Sequence, residues 1–309
     1  MVVAAFLLVP VLFAGATGSQ EEMQEQKGPV TVASKIDTEG ALLGSMIVQL
    51  LEADGFEVED STQFGPTDVI RKAIINGEID IYPEYTGNGA FFYPEAASPE
   101  VWKDPQEGYE TIKQLDMENH DIVWLQPAPA NNTWAIAVRQ NLAEDEGLET
   151  LDDLASYIED GGEFKLAASE EFVTRPDTLP AFEDAYGFDL SDDQLLTFSG
   201  GNTATTTQAA ARETDGVNAA MAYGTDGNLS ALNLRVLEDS RNVQPYYRPA
   251  PIVRQEVLDE YPEIESILSP VFESLDLETL QTLNARIAVQ GENASQVAED
   301  YLTSNGFLE

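Results

Sequence analysis

The chain has 309 residues, 43% of them apolar and 9% aromatic, which is enough to bury a sizeable core and corresponds to about two domains of the usual ~150 residues. Its 56 Asp and Glu against 15 Lys and Arg, a formal charge of -41, exclude nucleic acid and other phosphate-rich partners, because those require a basic surface. With no cysteine there is no disulfide framework, no thiolate nucleophile and no Cys-based metal site.

The acids are scattered through every segment rather than blocked into a tail. They read as a solvation coat suited to high salt rather than as a field aimed at a cationic ligand. From Val2 to Phe13 the chain is almost wholly apolar, too short to span a bilayer comfortably, and Ala14-Gly15-Ala16 follows like a signal-peptidase site. Residues 1–27 are therefore expected to be a signal-like segment and polar linker of an exported protein, cleaved or retained as a tether, although no Lys or Arg precedes the apolar run.

Beyond the linker the pattern alternates strand and helix, which predicts a parallel sheet. Val30 to Ser34 is β-prone; Leu42, Leu43, Met46, Ile47, Leu50 and Leu51 share one helical face, and Gly55 stands where that helix should end. Phe56 to Val58 begins a second strand, Thr67 to Asn76 a second helix stopped by Gly77, and Ile79 to Tyr82 a third strand. The exit of that strand, Pro83 to Gly87, lies at a carboxyl end, where open α/β sheets bind ligands. A second series runs through a strand at Thr133 to Val138, a helix at Leu151 to Ile158 capped by Thr150, and strands at Phe164 to Ala168, Leu195 to Phe198 and Val217 to Ala222. A further helix is predicted at Thr206 to Arg212 in this series. From Val257 onward the pattern is helical with no sheet of its own, so this block must return to the first domain.

Enzyme signatures are missing: there is no Gly-x-Ser-x-Gly elbow, no Walker loop and no His-Glu-x-x-His helix. His120, the lone histidine, sits in a polar run and reads as a solvated loop residue rather than a base. Carboxylate pairs carry no signal in so acidic a chain. What remains is a set of aromatic residues at strand exits and turns, Tyr85, Trp134, Tyr223 and Tyr247, with the scarce cations Lys35 and Arg175 just beyond predicted strands. Singly, each ring reads as core or rim packing as readily as a ligand wall.

At these residues the sequence resembles the substrate-binding proteins of glycine betaine, choline and related osmoprotectant ABC importers, in particular the OsmF-like branch. The resemblance is carried by Ala33-Ser34-Lys35-Ile36-Asp37-Thr38-Glu39, by the run from Gly77 to Gly87 and by the run from Pro127 to Ala135. Glu171 to Asp177, Ala222 to Asp226 and Gln244 to Pro251 continue it in family order. It implies an α/β, two-lobed type II periplasmic-binding-protein fold with the ligand cleft between the lobes, residues 28–131 plus 242–309 forming lobe 1 and 132–241 lobe 2. It further implies that Tyr85, Trp134, Tyr223 and Tyr247 box a trimethylammonium head, with the adjoining Tyr246 an alternative to Tyr247. Lys35 and Arg175 are then expected to hold a ligand carboxylate where there is one, with Asn88 and Asn132 as polar helpers. Trp134 stands where Tyr is common in the family, and Asn132 where some members carry Asp.

The physics suits such a cage. A quaternary ammonium has no N–H to donate, so shape, apolar contact and the negative faces of rings must recognise it. The expectation is a non-enzymatic receptor with no cofactor or metal, monomeric, that passes a quaternary-ammonium solute to the permease subunits of an ABC importer. An extracellular sensory module, an amino-acid-binding protein and an enzyme on the same fold are the alternatives.

Overall fold

The computed structural model describes residues 27–308, so the expected leader lies outside the described residues. β1 (Lys27–Lys35) leads into α1 (Thr38–Ala53), whose N-cap Asp37 accepts the Gly40 N–H and whose apolar stripe is buried as its spacing predicts. Gly55 follows with a φ of +88°, a conformation that favours glycine and turns the chain into β2 (Phe56–Gly65). Next come α2 (Thr67–Ile75), β3 (Ile81–Tyr85), α3 (Gly89–Phe92), α4 (Pro99–Lys103), α5 (Pro105–His120) and β4 (Ile122–Trp124). His120 ends a helix rather than lying in a loop, and is exposed there.

The middle of the chain contains β5 (Trp134–Arg139), α6 (Gln140–Glu146), α7 (Leu151–Glu159), β6 (Leu166–Ser169), α8 (Glu170–Thr174) and α9 (Leu179–Tyr186). β7 (Leu195–Phe198), α10 (Thr203–Ala211), β8 (Ala219–Tyr223) and β9 (Leu234–Val236) follow. The last part is β10 (Pro249–Arg254) and four helices, α11 (Gln255–Glu260), α12 (Glu263–Glu273), α13 (Leu277–Ala288) and α14 (Ala294–Ser304).

Two five-stranded sheets result, ordered β2-β1-β3-β10-β4 and β7-β6-β8-β5-β9. Each is mixed, not parallel as the alternation predicts: β10 runs antiparallel to β3 and β4, and β5 antiparallel to β8 and β9. The reason lies in the connections. β5 and β10 are the strands by which the chain enters one sheet from the other, so each arrives at the carboxyl ends of its neighbours and runs back between them. The two crossing segments lie side by side: the Asn132 N–H donates to the Tyr247 carbonyl and the Tyr247 N–H to Asn131 Oδ1, each at 2.8 Å.

Each sheet has its own core. Leu42, Leu43, Met46 and Ile47 of α1 pack with Leu268, Phe272, Leu280, Val297 and Leu302, so the late helices close over the first sheet. Ile136, Val138, Leu154, Leu166, Phe172, Phe182 and Met221 form the core beside the second. Burial of such side chains contributes about 1.5–3 kcal/mol each, which makes each sheet a rigid base for the residues at its edge.

Candidate ligand-binding site

The edge where β1, β3 and β8 end is also the edge where β5 begins and to which Tyr247 leads on the way into β10. Lys35 closes β1, Tyr85 closes β3, Tyr223 closes β8 and Trp134 opens β5. Opposed strand direction thus brings residues far apart in sequence to one place. Lys35, Tyr85, Asn88, Asn132, Trp134, Tyr223 and Tyr247 all line a single cavity, together with Ile36, Asp37, Pro66, Thr67, Glu171 and Gly201. Tyr247, not Tyr246, is the ring that reaches it; Gly87 leaves the space for that ring, since a β-carbon there would stand 2.7 Å from Tyr247 Cδ1.

The rings are close. Trp134 meets Tyr223 at 4.7 Å between centroids and is backed by Phe172 at 5.4 Å, a buried ring that the sequence did not single out. The rings thus enclose a narrow cavity between the two sheets.

Arg175 does not line this cavity. It borders an adjoining pocket with Phe91, and its guanidinium is taken up by Asp177 at 2.9 and 2.6 Å, by Glu171 at 2.8 Å and by Asn88 Oδ1 at 3.0 Å. It also lies 4.1 Å over the Phe91 ring. Burial opposes its charge, but the Asp177 hydrogen bonds and the neighbouring carboxylates outweigh this and hold its pKa above the ordinary arginine value. Lys35 is likewise engaged, 2.7 Å from the fully buried Glu84 and 4.8 Å over the Tyr85 ring. Glu84 also accepts the Tyr82 hydroxyl, the Tyr85 N–H and Asn88 Nδ2.

A second group of acids stands behind the rings. Glu39 is buried, and Tyr85 Oη, Asn132 Nδ2 and Asn284 Nδ2 donate to it at 3.0, 2.6 and 2.7 Å. Burial raises its carboxyl pKa, and these donors only partly offset the effect. Burial similarly raises Asp37, and pushes Asp226 beyond the end of β8 up to about 7. Asp37, Glu39, Glu84 and Glu171 are absent from the residues singled out by sequence because acids abound. Their one legible signal is that all four fall within the segments that carry the family resemblance.

A two-lobed α/β receptor with an aromatic cleft between its sheets is the class that this fold and site define. The chain belongs to the family described as the substrate-binding domain of ABC-type glycine betaine transport systems, whose model matches residues 28–304. It is 58% identical over 279 residues to the glycine betaine-binding protein YehZ of Escherichia coli (strain K12), covering 90% of this chain and 91% of the relative. It is 32% identical to a glycine-betaine-binding protein of Pseudomonas aeruginosa, covering 92% and 90%. The structure of apo YehZ from Escherichia coli superposes with a TM-score of 0.66 over 91% of this chain and 99% of that one. A crystal structure described as a glycine betaine/carnitine/choline ABC transporter shares the fold, with a TM-score of 0.71 at 23% identity over 92% and 100% of the two chains. Among the described residues no helix is long and apolar enough to cross a membrane.

Proposed function

We propose that the protein captures a small solute bearing a trimethylammonium head, of the glycine betaine and choline class, outside the cytoplasm and passes it to an ABC permease without chemical change. The observation that carries this reading is the convergence of Tyr85, Trp134, Tyr223 and Tyr247 on one cavity. Each ring contact with the cation is worth about 0.5–2 kcal/mol depending on desolvation, so several together suffice for capture without a dedicated counter-ion. The lobes that close on the solute are residues 28–131 with 242–309, and 132–241. Asn88 and Asn132 serve as polar contacts. Arg175 acts from behind, through Asn88 of the opposite lobe, and not as a direct ligand.

Isothermal titration with glycine betaine, choline, carnitine, ectoine and proline tests the reading. Heat from the trimethylammonium solutes and none from proline is the expected pattern. Proline binding in their absence would replace the quaternary-amine ligand with an amino acid.

A further inference from the structure

The charges around the cage do not balance. Both nearby cations already have carboxylate partners, Lys35 in Glu84 and Arg175 in Asp177 and Glu171. Asp37 and Glu171 nevertheless line the cavity, from opposite sheets. Asp37 spends Oδ1 on the Gly40 N–H, and Glu171 gives Oε1 to Arg175 while its Oε2 lies beside Gly201 in the cavity wall. We propose that Asp37 and Glu171 form a two-sided anionic clamp that makes the site select a net-cationic onium solute such as choline over a zwitterion that carries its own carboxylate. This rests on the trimethylammonium reading above and names the ligand charge within it.

The neutral groups of the cavity point the same way. Asn132 Oδ1 and the Tyr247 hydroxyl line it and belong to residues only 5% and 2% exposed; Asn132 Oδ1 has no hydrogen-bond partner among the described residues, and the Tyr247 hydroxyl, approached by the Trp134 indole, keeps its own proton to donate. With the Glu39 carboxylate ionised, the Asn132 amide is fixed by the donation of its Nδ2 to it. Its Oδ1 therefore asks for a donor. A hydroxyl on the ligand can donate to Asn132 and accept from Tyr247; a carboxylate can only accept, and would lie among like charges in a partly dry cavity. A cation between Asp37 and Glu171 also relieves the repulsion that shutting the cleft imposes on them, which couples capture to closure.

Protonation should loosen the clamp. Burial first, and the Glu171 charge in addition, raise the Asp37 carboxyl, while the Gly40 N–H and Lys35 lower it. Around the clamp stand Glu39 on α1, Glu84 and Tyr85 on β3, and Tyr223 and Asp226 at the end of β8. On the other side are Arg175 and Asp177 after α8.

The test is isothermal titration of the full chain with choline and with glycine betaine, at about pH 8 and about pH 5, for wild type, Asp37→Asn and Glu171→Gln. Asparagine still caps α1, and melting curves report whether each variant is folded. Wild type should favour choline by about tenfold or more at high pH, as expected of one unscreened like-charge contact. The preference should shrink at low pH, and each variant should shift the ratio toward betaine. The wild-type pH comparison stands even where a variant does not fold. Betaine binding as tightly as choline at high pH, or a ratio unmoved by both variants, overturns the clamp. Binding of neither ligand overturns the trimethylammonium reading itself, and the clamp with it.

Discussion

Trp134 and Tyr223 are register partners at the end of the β5–β8 ladder, and their rings meet at 4.7 Å with a 52° tilt. One ring opens its strand and the other closes the neighbouring one, so a displacement of either residue is felt at the cleft. Because Trp134 lines the cavity, a trimethylammonium head seated there changes the surroundings of its ring. Of the three tryptophans, Trp102 and Trp124 lie in a separate buried cluster behind the first sheet. Ligand titration should therefore alter emission in wild type, and Trp134→Phe should abolish the optical change while calorimetric binding persists. An optical change retained in the variant would place the ligand elsewhere.

A second prediction concerns closure without ligand contact. The turn after β8 lies on α13, with Gln281 Nε2 donating to the Gly224 carbonyl at 2.9 Å and Asn284 Nδ2 to that of Thr225 at 3.0 Å. Gly227 fits there only because it has no side chain: a β-carbon would stand 1.7 Å from the Gln281 carbonyl oxygen. Gly227→Ala should weaken every ligand by about tenfold, in line with the 1–3 kcal/mol typical of overpacking, while the open form keeps its melting temperature. Equal affinities for wild type and variant would show that this contact is not part of the ligand-bound state.

Much of this arrangement was legible in the sequence, and the misses have definite causes. The α1 stripe and the Thr150 cap of α7 follow from spacing and local chemistry, and both are found. β10 is hard to recognise as a strand in the sequence, since Pro249 and Pro251 lack the N–H that a central strand ordinarily needs. It is accommodated because Pro251 stands opposite Pro83 in the register, so neither residue asks the other for a donor there. The rings and Lys35 were legible through the resemblance. The partners of Lys35 and Arg175 were not, since no periodicity distinguishes Glu84 or Asp177 from the many other acids.

Arg175 separates direct from indirect roles. Its fork is spent on Asp177, Glu171 and Asn88, so removing it leaves two half-buried carboxylates unpaired rather than depriving a ligand carboxylate. Arg175→Ala should lower the melting temperature and weaken choline and betaine to a similar degree. A loss confined to betaine, with stability unchanged, would restore the direct carboxylate contact that the family resemblance implies.

Charge also sets the solvent dependence of the fold. With a formal charge of -41, compaction is opposed by repulsion among surface acids. The Debye length falls from ~10 Å at 0.1 M salt to ~3 Å at 1 M, which screens most of it. Melting temperature should rise steadily with KCl over that range. A flat dependence would show that the acids are already compensated.

Asp226 gives a pH dependence whose sign can be worked out. Its carboxylate accepts the Tyr223 N–H at 2.8 Å and the Thr203 hydroxyl at 2.7 Å, which favour the charged form, yet burial prevails and pushes it up to about 7. In the unfolded chain the same group titrates near ~3.9. Between these values the folded state holds the proton and the unfolded state does not, so this group's contribution to stability falls as pH rises through the window and is least favourable above about 7. Asp226→Asn removes the charge while keeping an oxygen for the Tyr223 N–H. The variant should melt higher than wild type at about pH 8, and the gap should close as pH falls toward about 2.5, where the acid is protonated in both states. Other groups titrate over the same range, but the difference between the two melting curves isolates this one. A variant less stable than wild type at high pH would mean that the ionised carboxylate is needed there, held by Thr203 and Tyr223 against its burial.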